Sequence, residues 1–479
     1  MNYRILLKIV GLGLVACAAF MIVPLIISLV NEDGISRGIL ISLLITAITG
    51  LLLTLIKNKK EMRARDGVVG VVFCWIAISF MGALPFYLTG AVPNFIDCFF
   101  ESASGFTTTG ATILTDIEAL PLSLLMWRSL MHWLGGMGVI VFLLILPSKW
   151  NAKSVHLLNV ESTGPVKGKM LPSASKTAKM LYLIYAGFTF AEVIALIIAG
   201  MPVFDSFLHA FSTAGTGGYS MMNASIAAYD SAAIDIIITI FMFLFGISFT
   251  LHYQFLRGGF KDAFKSTEFK VYLVTIGAVI VVIAFNIASL FDYNMAEAFR
   301  YSAFQTVSVS STTGFITADF NTWPMLSQVL LIILMFFGGM AGSTGGGMKF
   351  SRIVIAAKSV RRSLKQALHP NLVKTIKTDG RAVSETTVMR VALFFVAYFG
   401  VMAIAMILIS FDNFDFTTTF TAVLSAMSNV GPGLNLVGPV ENFSIFSDFS
   451  KCVLSACMII GRLEVLPFLI IFARRTWRV

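Results

Sequence analysis

Runs of about 20 consecutive apolar residues recur along this chain, beginning with "IVGLGLVACAAFMIVPLIISLV" at 9–30, and that is the length an α-helix needs to cross hydrocarbon. The chain is 57% hydrophobic and only 13% charged, more apolar sequence than a soluble core can absorb. Within a bilayer the backbone must satisfy its own hydrogen bonds, so the spans are helices. The fold class is therefore an all-α polytopic membrane protein. The start, "MNYRILLKIVGLGLVAC", has a basic region before its apolar run, and "LVAC" imitates a lipoprotein cleavage box. Because the run continues to Val30 with no polar stretch after it, it reads as a first transmembrane helix, not a removed signal.

A net charge of +10 in a soluble protein suggests nucleic acid, but here the basic residues gather in particular loops between apolar runs. They lie at Arg4 and Lys8, at 57–65, at 149–179, at 257–265, at 352–390 and at Arg474, Arg475 and Arg478. The positive-inside rule makes these loops cytoplasmic, and both termini with them. The opposite loops carry acidic residues, among them Asp97, Glu101, Asp116, Asp205, Asp319 and Asp415, a face that concentrates cations. No binding of nucleic acid is expected. Cys17, Cys74, Cys98, Cys452 and Cys457 are scattered, with no CxxC pair, and read as inert helix residues.

With this alternation the chain divides into two helices, at about 9–30 and 38–56, and four units at 67–150, 178–257, 268–368 and 385–475. In each unit a full span leads to a half-length apolar segment, a glycine stretch and another full span. That makes ten crossings, with half-length segments near 94, 204, 296 and 415 that enter and return on the outer side. The corresponding divisions are 1–66 for the two extra helices, then 67–177, 178–267, 268–384 and 385–479 for the repeats.

The glycine stretches align. "ESASGFTTTGAT" around Gly110, "LHAFSTAGTGGYS" around Gly217, "FQTVSVSSTTGFI" around Gly314 and "AVLSAMSNVGPGL" around Gly431 form one motif repeated four times. Four equivalent units can close into a ring around a central pore. Non-helical backbone at membrane depth is tolerated only where it lines water or binds something, and carbonyls facing an axis bind cations. Glycine permits the dihedrals that aim carbonyls inward and leaves the path clear. No charged side chain lies inside the loops themselves, which favours a monovalent ion over a divalent one. The alternative is that these glycines only let helices pack closely.

Two further features bear on flow. "FFGGMAGSTGGGMKFSR" at 336–352 places six glycines between Gly338 and Gly347 in what should be a span. Met348 and Phe350 stand where a phosphate-binding loop would need other residues, so no nucleotide site is expected. It reads as an intramembrane loop below the filter, with a glycine-rich packing face as the alternative. Arg462, in "CMIIGRLEVLPFLIIF", lies well inside an apolar run and must face protein or water. It either faces the cavity, raising the barrier for cations and positioning the glycine-rich loop, or pairs with another helix. Glu464 is two residues away and a poor local partner. Glu192 and Arg128 read as structural contacts.

Together, "SGFTTTGAT", "GGMAGSTGGGMK", "GRLE" and the fourfold succession of span, pore helix, filter loop and span resemble the Trk/Ktr/HKT superfamily of potassium transporters. The two extra N-terminal helices make the chain more similar to its bacterial Trk-type membrane subunits. The resemblance covers essentially the whole chain. It implies potassium uptake across the bacterial inner membrane, potassium as substrate with no covalent cofactor, and a homodimer with one pore per protomer. It also implies a cytoplasmic ring of nucleotide-binding, TrkA-like regulatory subunits. Carried over by position, the filter comprises Thr108, Thr109 and Gly110; Gly215, Thr216 and Gly217; Thr312, Thr313 and Gly314; and Asn429, Val430 and Gly431. Potassium would meet only backbone carbonyls there. The gate comprises Gly338, Gly339, Gly342, Gly345, Gly346, Gly347 and Lys349, with Arg462 beside it.

The fourth stretch, "SNVGPG", departs from the threonine pattern but keeps its glycine. A secondary symporter coupling potassium to sodium or protons remains as an alternative, with Glu192 as its only obvious midplane carboxylate. An enzyme is not expected, because His132, His156, His209, His252 and His369 form no catalytic pair. On the cytoplasmic face Arg361, Arg362 and Lys365 would dock the partner ring, and membrane-lipid head groups are the other candidate for the basic loops.

Overall fold

The computed structural model describes residues 1–57, 63–138, 174–259, 264–373 and 375–477. Among the described residues six helices are long and apolar enough to cross a membrane: Tyr3–Asn31, Ser36–Thr54, Arg65–Leu88, Lys176–Ile198, Thr267–Phe291 and Glu385–Asp412. The first two are the extra N-terminal pair, and the other four are the leading helices of the repeats. The basic segment 149–173 lies outside the described residues.

Each leading helix is followed by a half-length helix: Phe95–Phe106, Val203–Gly215, Met295–Ser311 and Phe416–Ser428. Their beginnings are set locally. Asn94 and Asn294 accept from the backbone N–H two residues on, at 2.9 and 3.2 Å, and Asp415 accepts from Thr418 N at 3.1 Å. Bonds from Thr418 hold the Asp415 carboxyl below the ordinary carboxylate range. The second helix starts directly after Pro202, whose fixed φ suits a helix entry.

The return helices depart from the expectation of full spans. Leu122–Gly136 and Met325–Phe337 are short, Ala232–Gly246 turns by 100° into Phe249–Leu256, and Asp448–Arg462 turns by 112° into Leu466–Phe472. Taking each bent pair as one span gives eight among the described residues. The other two expected crossings fall on Leu122–Gly136, whose continuation to 150 is outside the described residues, and on Met325–Phe337, which the glycine stretch ends. Close approach goes with these breaks. A Cβ on Gly135 would lie 1.9 Å from the Phe106 carbonyl oxygen, and one on Gly461 would lie 2.2 Å from that of Met427. Return helices thus end against the C-termini of half-length helices, at distances only glycine permits.

Aromatic packing fixes the half-length helices from the side. Phe106 and Trp127 are fully buried and meet edge to face at 6.0 Å, and the Trp127 indole donates to the Gly82 carbonyl at 3.0 Å. The extra pair of helices packs backbone to backbone instead: a Cβ on Gly11 would sit 2.7 Å from Leu53 Cβ and 2.8 Å from the Gly50 carbonyl oxygen. Replacing Gly11 with leucine should therefore part these two helices and lower stability by about 1–3 kcal/mol, the usual cost of overpacking. Thermal unfolding in detergent checks this, and an unchanged midpoint would contradict the packing argument.

Candidate functional site

Each half-length helix ends one or two residues before a non-glycine residue in the left-handed region: Thr108 (φ 55°), Thr216 (φ 55°), Thr312 (φ 62°) and Asn429 (φ 55°). For threonine, which is β-branched, this is a rare conformation that costs of order 1–3 kcal/mol and persists only when the surroundings fix it. The next residue turns its N–H back into the helix: Thr109 to Ser104, Gly217 to Ser212 and Thr313 to Ser308, all at 2.9 Å, and Val430 to Ser425 at 3.1 Å. The donors are thereby satisfied. The carbonyls of Thr109, Gly217, Thr313 and Val430 accept no hydrogen bond among the described residues.

The glycine that follows also has positive φ in every repeat: Gly110 (82°), Gly218 (77°), Gly314 (82°) and Gly431 (101°). A Cβ on Gly110 would lie 2.0 Å from the Gly217 carbonyl oxygen, on Gly218 2.1 Å from that of Thr313, on Gly314 2.1 Å from that of Val430, and on Gly431 2.8 Å from that of Thr109. Each repeat thus abuts the next and the fourth abuts the first, so the loops form a closed ring. The outer loops close in the same order. Asn223 joins the first two repeats, accepting from Ile117 N at 2.8 Å, and Ala227 N donates to the Ile316 carbonyl at 3.1 Å. Asn435 N donates to Asn321 Oδ1 at 2.9 Å, and Phe443 N to the Thr112 carbonyl at 2.8 Å.

The geometry corrects one register. Gly218, not Gly217, matches Gly110, Gly314 and Gly431, so the second triplet is Thr216, Gly217 and Gly218, while Gly215 is the last residue of its helix. The sequence "GTGG" offers two candidates. The signal that decides between them is a serine: each ring glycine follows Ser104, Ser212, Ser308 or Ser425 by six residues. In the other three repeats the left-handed residue and the positive-φ glycine are the first and last of the three residues named by the resemblance. Immediately outside the ring is a cavity of about 110 Å³ lined by all four positive-φ glycines. The C-terminal ends of four helices lead into the ring, and their partial negative charge favours a cation there.

The glycine-rich stretch packs directly against the inner side of this ring. Gly346 N–H donates to Thr312 Oγ1 at 2.7 Å, and a Cβ on Gly346 or Gly345 would lie 2.2 Å from the Ser428 carbonyl oxygen or 2.7 Å from that of Ser311. Gly338, Gly342, Gly347 and Lys349 all have positive φ, so the stretch is a built loop and not a packing face of a helix. It is tied on several sides. Met340 N donates to the Gly246 carbonyl at 3.0 Å, Phe249 N to that of Gly342 at 2.9 Å, and the buried Lys349 ammonium to that of Gly345. A single Glu268 oxygen accepts from Ala341 N at 2.7 Å and from Ser351 N at 3.0 Å, bracketing the loop. Gly339 completes it, accepting from Phe350 N at 3.4 Å.

Arg462 reaches the same loop from the last repeat. Its guanidinium donates to the Thr344 carbonyl at 2.7 Å and to those of Gly135 and Gly136 at 2.5 and 2.8 Å, so one side chain joins three repeats. Glu464 pairs with Arg352, at the start of the helix Phe350–Leu368. Glu101, expected on the outer acidic face, is instead fully buried and paired with Arg128 at 2.8 Å. Arg362 is already paired with Glu385.

Residues 35–478 match the family model described as TrkH, cation transport protein. The chain is 37% identical over 489 residues to the Trk system potassium uptake protein TrkH of Escherichia coli K12, and 36% identical over 488 residues to that of Salmonella typhimurium LT2, covering 100% of each chain. The crystal structure of the potassium transporter TrkH from Vibrio parahaemolyticus superposes with a TM-score of 0.90 at 35% identity, over 100% of both chains. Full-length likeness in sequence and fold places the chain in the TrkH family, a family of multi-pass membrane transporters and not of enzymes.

Proposed function

We propose that the chain takes up potassium through a selective pore whose filter is the ring of Thr108–Gly110, Thr216–Gly218, Thr312–Gly314 and Asn429–Gly431. The observation that carries this reading is the cyclic closure of four positive-φ glycines, each against the next repeat's carbonyl. Carbonyls without internal partners can replace the hydration shell of a dehydrated monovalent cation. The named function of the relatives, potassium uptake, supports potassium as the substrate. A bacterial inner-membrane location with both termini cytoplasmic fits the placement of the basic loops.

The loop 338–349 is proposed as the gate, with Arg462 as its clasp. It lies against the inner side of the ring and is tied to it through Thr312. A homodimer, and docking of a nucleotide-binding cytoplasmic ring on the helix Phe350–Leu368, complete the proposal. That helix follows the loop directly and presents Val360, Leu364 and Leu368, all strongly exposed, beside Arg361 and Lys365. A partner bound there can bias the gate only by holding its open and closed arrangements unequally.

One observation favours a second reading, coupled transport. Glu192 is fully buried beside Thr213, and by hydrogen-bond geometry neither carboxylate oxygen has a partner among the described residues. The Thr213 hydroxyl donates to the His209 carbonyl at 2.8 Å. Potassium flux in vesicles with and without an imposed proton or sodium gradient separates the readings. Flux that follows only the potassium gradient, in wild type and Glu192→Gln alike, removes coupling.

Serine at Gly110, Gly218, Gly314 or Gly431 should reduce potassium flux, or its preference over sodium, by roughly tenfold or more, since overpacking by 1–3 kcal/mol corresponds to that scale. Potassium, rubidium, sodium and lithium fluxes through purified protein check this, and wild-type preference in all four variants would remove the filter. Arg462→Ala should raise basal flux by releasing Thr344, whereas Arg462→Lys, with no planar fork, should have a smaller effect. Wild-type basal flux in a folded Arg462→Ala protein would assign Arg462 to architecture alone. Reversing Arg361 and Lys365 to glutamate, with the Arg362–Glu385 pair intact, should abolish partner co-purification and nucleotide-dependent flux while leaving ion preference unchanged. Retention of both would leave these residues to lipid.

A further inference from the structure

The four half-length helices carry different side chains at one equivalent position, seven residues before the left-handed residue: Glu101, His209, Gln305 and Ala422. The first three brace the exit of their own loop. Glu101 accepts from Thr112 Oγ1 at 2.9 Å and Ile113 N at 3.2 Å, His209 Nε2 meets Ser220 Oγ at 3.0 Å, and Gln305 donates to Thr317 Oγ1 at 3.4 Å. In the fourth repeat the neighbouring Thr421 takes over, accepting from Leu434 N at 3.0 Å.

The first brace alone carries a full charge, and it is extended across a repeat boundary. Arg128, on the return helix Leu122–Gly136, donates to Glu101 Oε1 at 2.8 Å and to the Ser220 carbonyl at 3.1 Å, and its guanidinium lies 4.0 Å from the centre of the Tyr219 ring. The Tyr219 hydroxyl returns to the first repeat, donating to the carbonyls of Glu101 at 2.9 Å and Ala111 at 3.3 Å. Ala111 and Tyr219 are the residues immediately after ring glycines Gly110 and Gly218. The side chains of Arg128 and Glu101 are 1% and 0% exposed. Desolvating such a pair gains little net stability over apolar packing, so what it contributes is fixed geometry.

We propose that Arg128 is a specificity-determining positioning residue: with Glu101 and Tyr219 it sets the separation between the first and second quarters of the ring, and so the discrimination between potassium and smaller cations. This rests on the filter reading above. Ion discrimination by carbonyls depends on where they can relax, and a site of this kind has to be held to within about 0.5 Å by its supporting side chains. An ammonium in place of the guanidinium keeps the charge but cannot reach Glu101 and Ser220 together while lying flat on Tyr219.

The test is the ratio of potassium to sodium permeability in vesicles for Arg128→Lys and Tyr219→Phe, with Gly314→Ser, in a repeat remote from the brace, as reference. Both brace variants should still conduct potassium, with the ratio reduced roughly tenfold in Arg128→Lys, the scale of one charge-assisted hydrogen bond, and roughly fivefold in Tyr219→Phe, the scale of a neutral one. A purely structural role would lower the yield of folded protein, or flux of all ions together, at constant ratio. Wild-type ratios in both brace variants, with an altered ratio in Gly314→Ser, would overturn this inference and leave the filter standing. Wild-type ratios in the two brace variants overturn this inference even where Gly314→Ser keeps its ratio too, and the filter reading itself falls when all four ring-glycine variants keep theirs. Should Arg128→Lys not assemble, Tyr219→Phe alone decides by the same criterion.

Discussion

A backbone that leaves the helix inside a membrane must still satisfy its donors and acceptors, and the rest of this structure depends on how that is done four times. At each half-length helix the donor problem is solved locally, by a left-handed residue that turns the following N–H back onto a serine carbonyl. The acceptor problem is left open. Four carbonyls, at Thr109, Gly217, Thr313 and Val430, are gathered at the ring with no hydrogen-bond donor among the described residues, and under the proposed function a cation takes that place. Glycine at the next position is then required twice over, by its positive φ and by the carbonyl pressed against it.

The same logic governs the inner side. The loop between Phe337 and Phe350 carries many backbone groups outside any helix ladder, and neighbouring side chains of matching polarity answer some of them: Glu268 the N–H of Ala341, and of Ser351 just beyond, and Lys349 and Arg462 carbonyls. A charge deep in a membrane protein is costly, and here each is directed at loose backbone. Because Gly346 also bonds to Thr312, loop and ring share a hydrogen bond, and displacement of one removes a support of the other.

Much of this was legible in the residues. The membrane class follows from apolar run length, and the fourfold repeat from glycine stretches at similar spacing, because a backbone that needs positive φ leaves a residue-level trace. Three of the four glycines marked by that trace, Gly110, Gly314 and Gly431, have the positive φ and the close approach to a neighbouring carbonyl that the ring requires. The second slipped by one because Gly217 and Gly218 are adjacent, and only closure against Thr313 distinguishes them. The bends after Gly246 and Arg462 left no such mark, since an apolar sequence reads the same whether its helix continues or turns. Glu101 was misplaced for a related reason. Its charge suggested solvent, and its partner Arg128 lies 27 positions away on another helix, a pairing that no local pattern reveals.

One chain supplies all four quarters of the ring, and the quarters are not alike: Thr-Thr-Gly appears twice, Thr-Gly-Gly once and Asn-Val-Gly once. In a pore assembled from four identical subunits a single codon change strikes every quarter at once, and a mild alteration is compounded fourfold. Here each substitution arises in one quarter and presses on its neighbour alone. Such a ring can drift by small steps, one quadrant being altered while the others keep their closure, so that neighbouring quadrants become free to specialise.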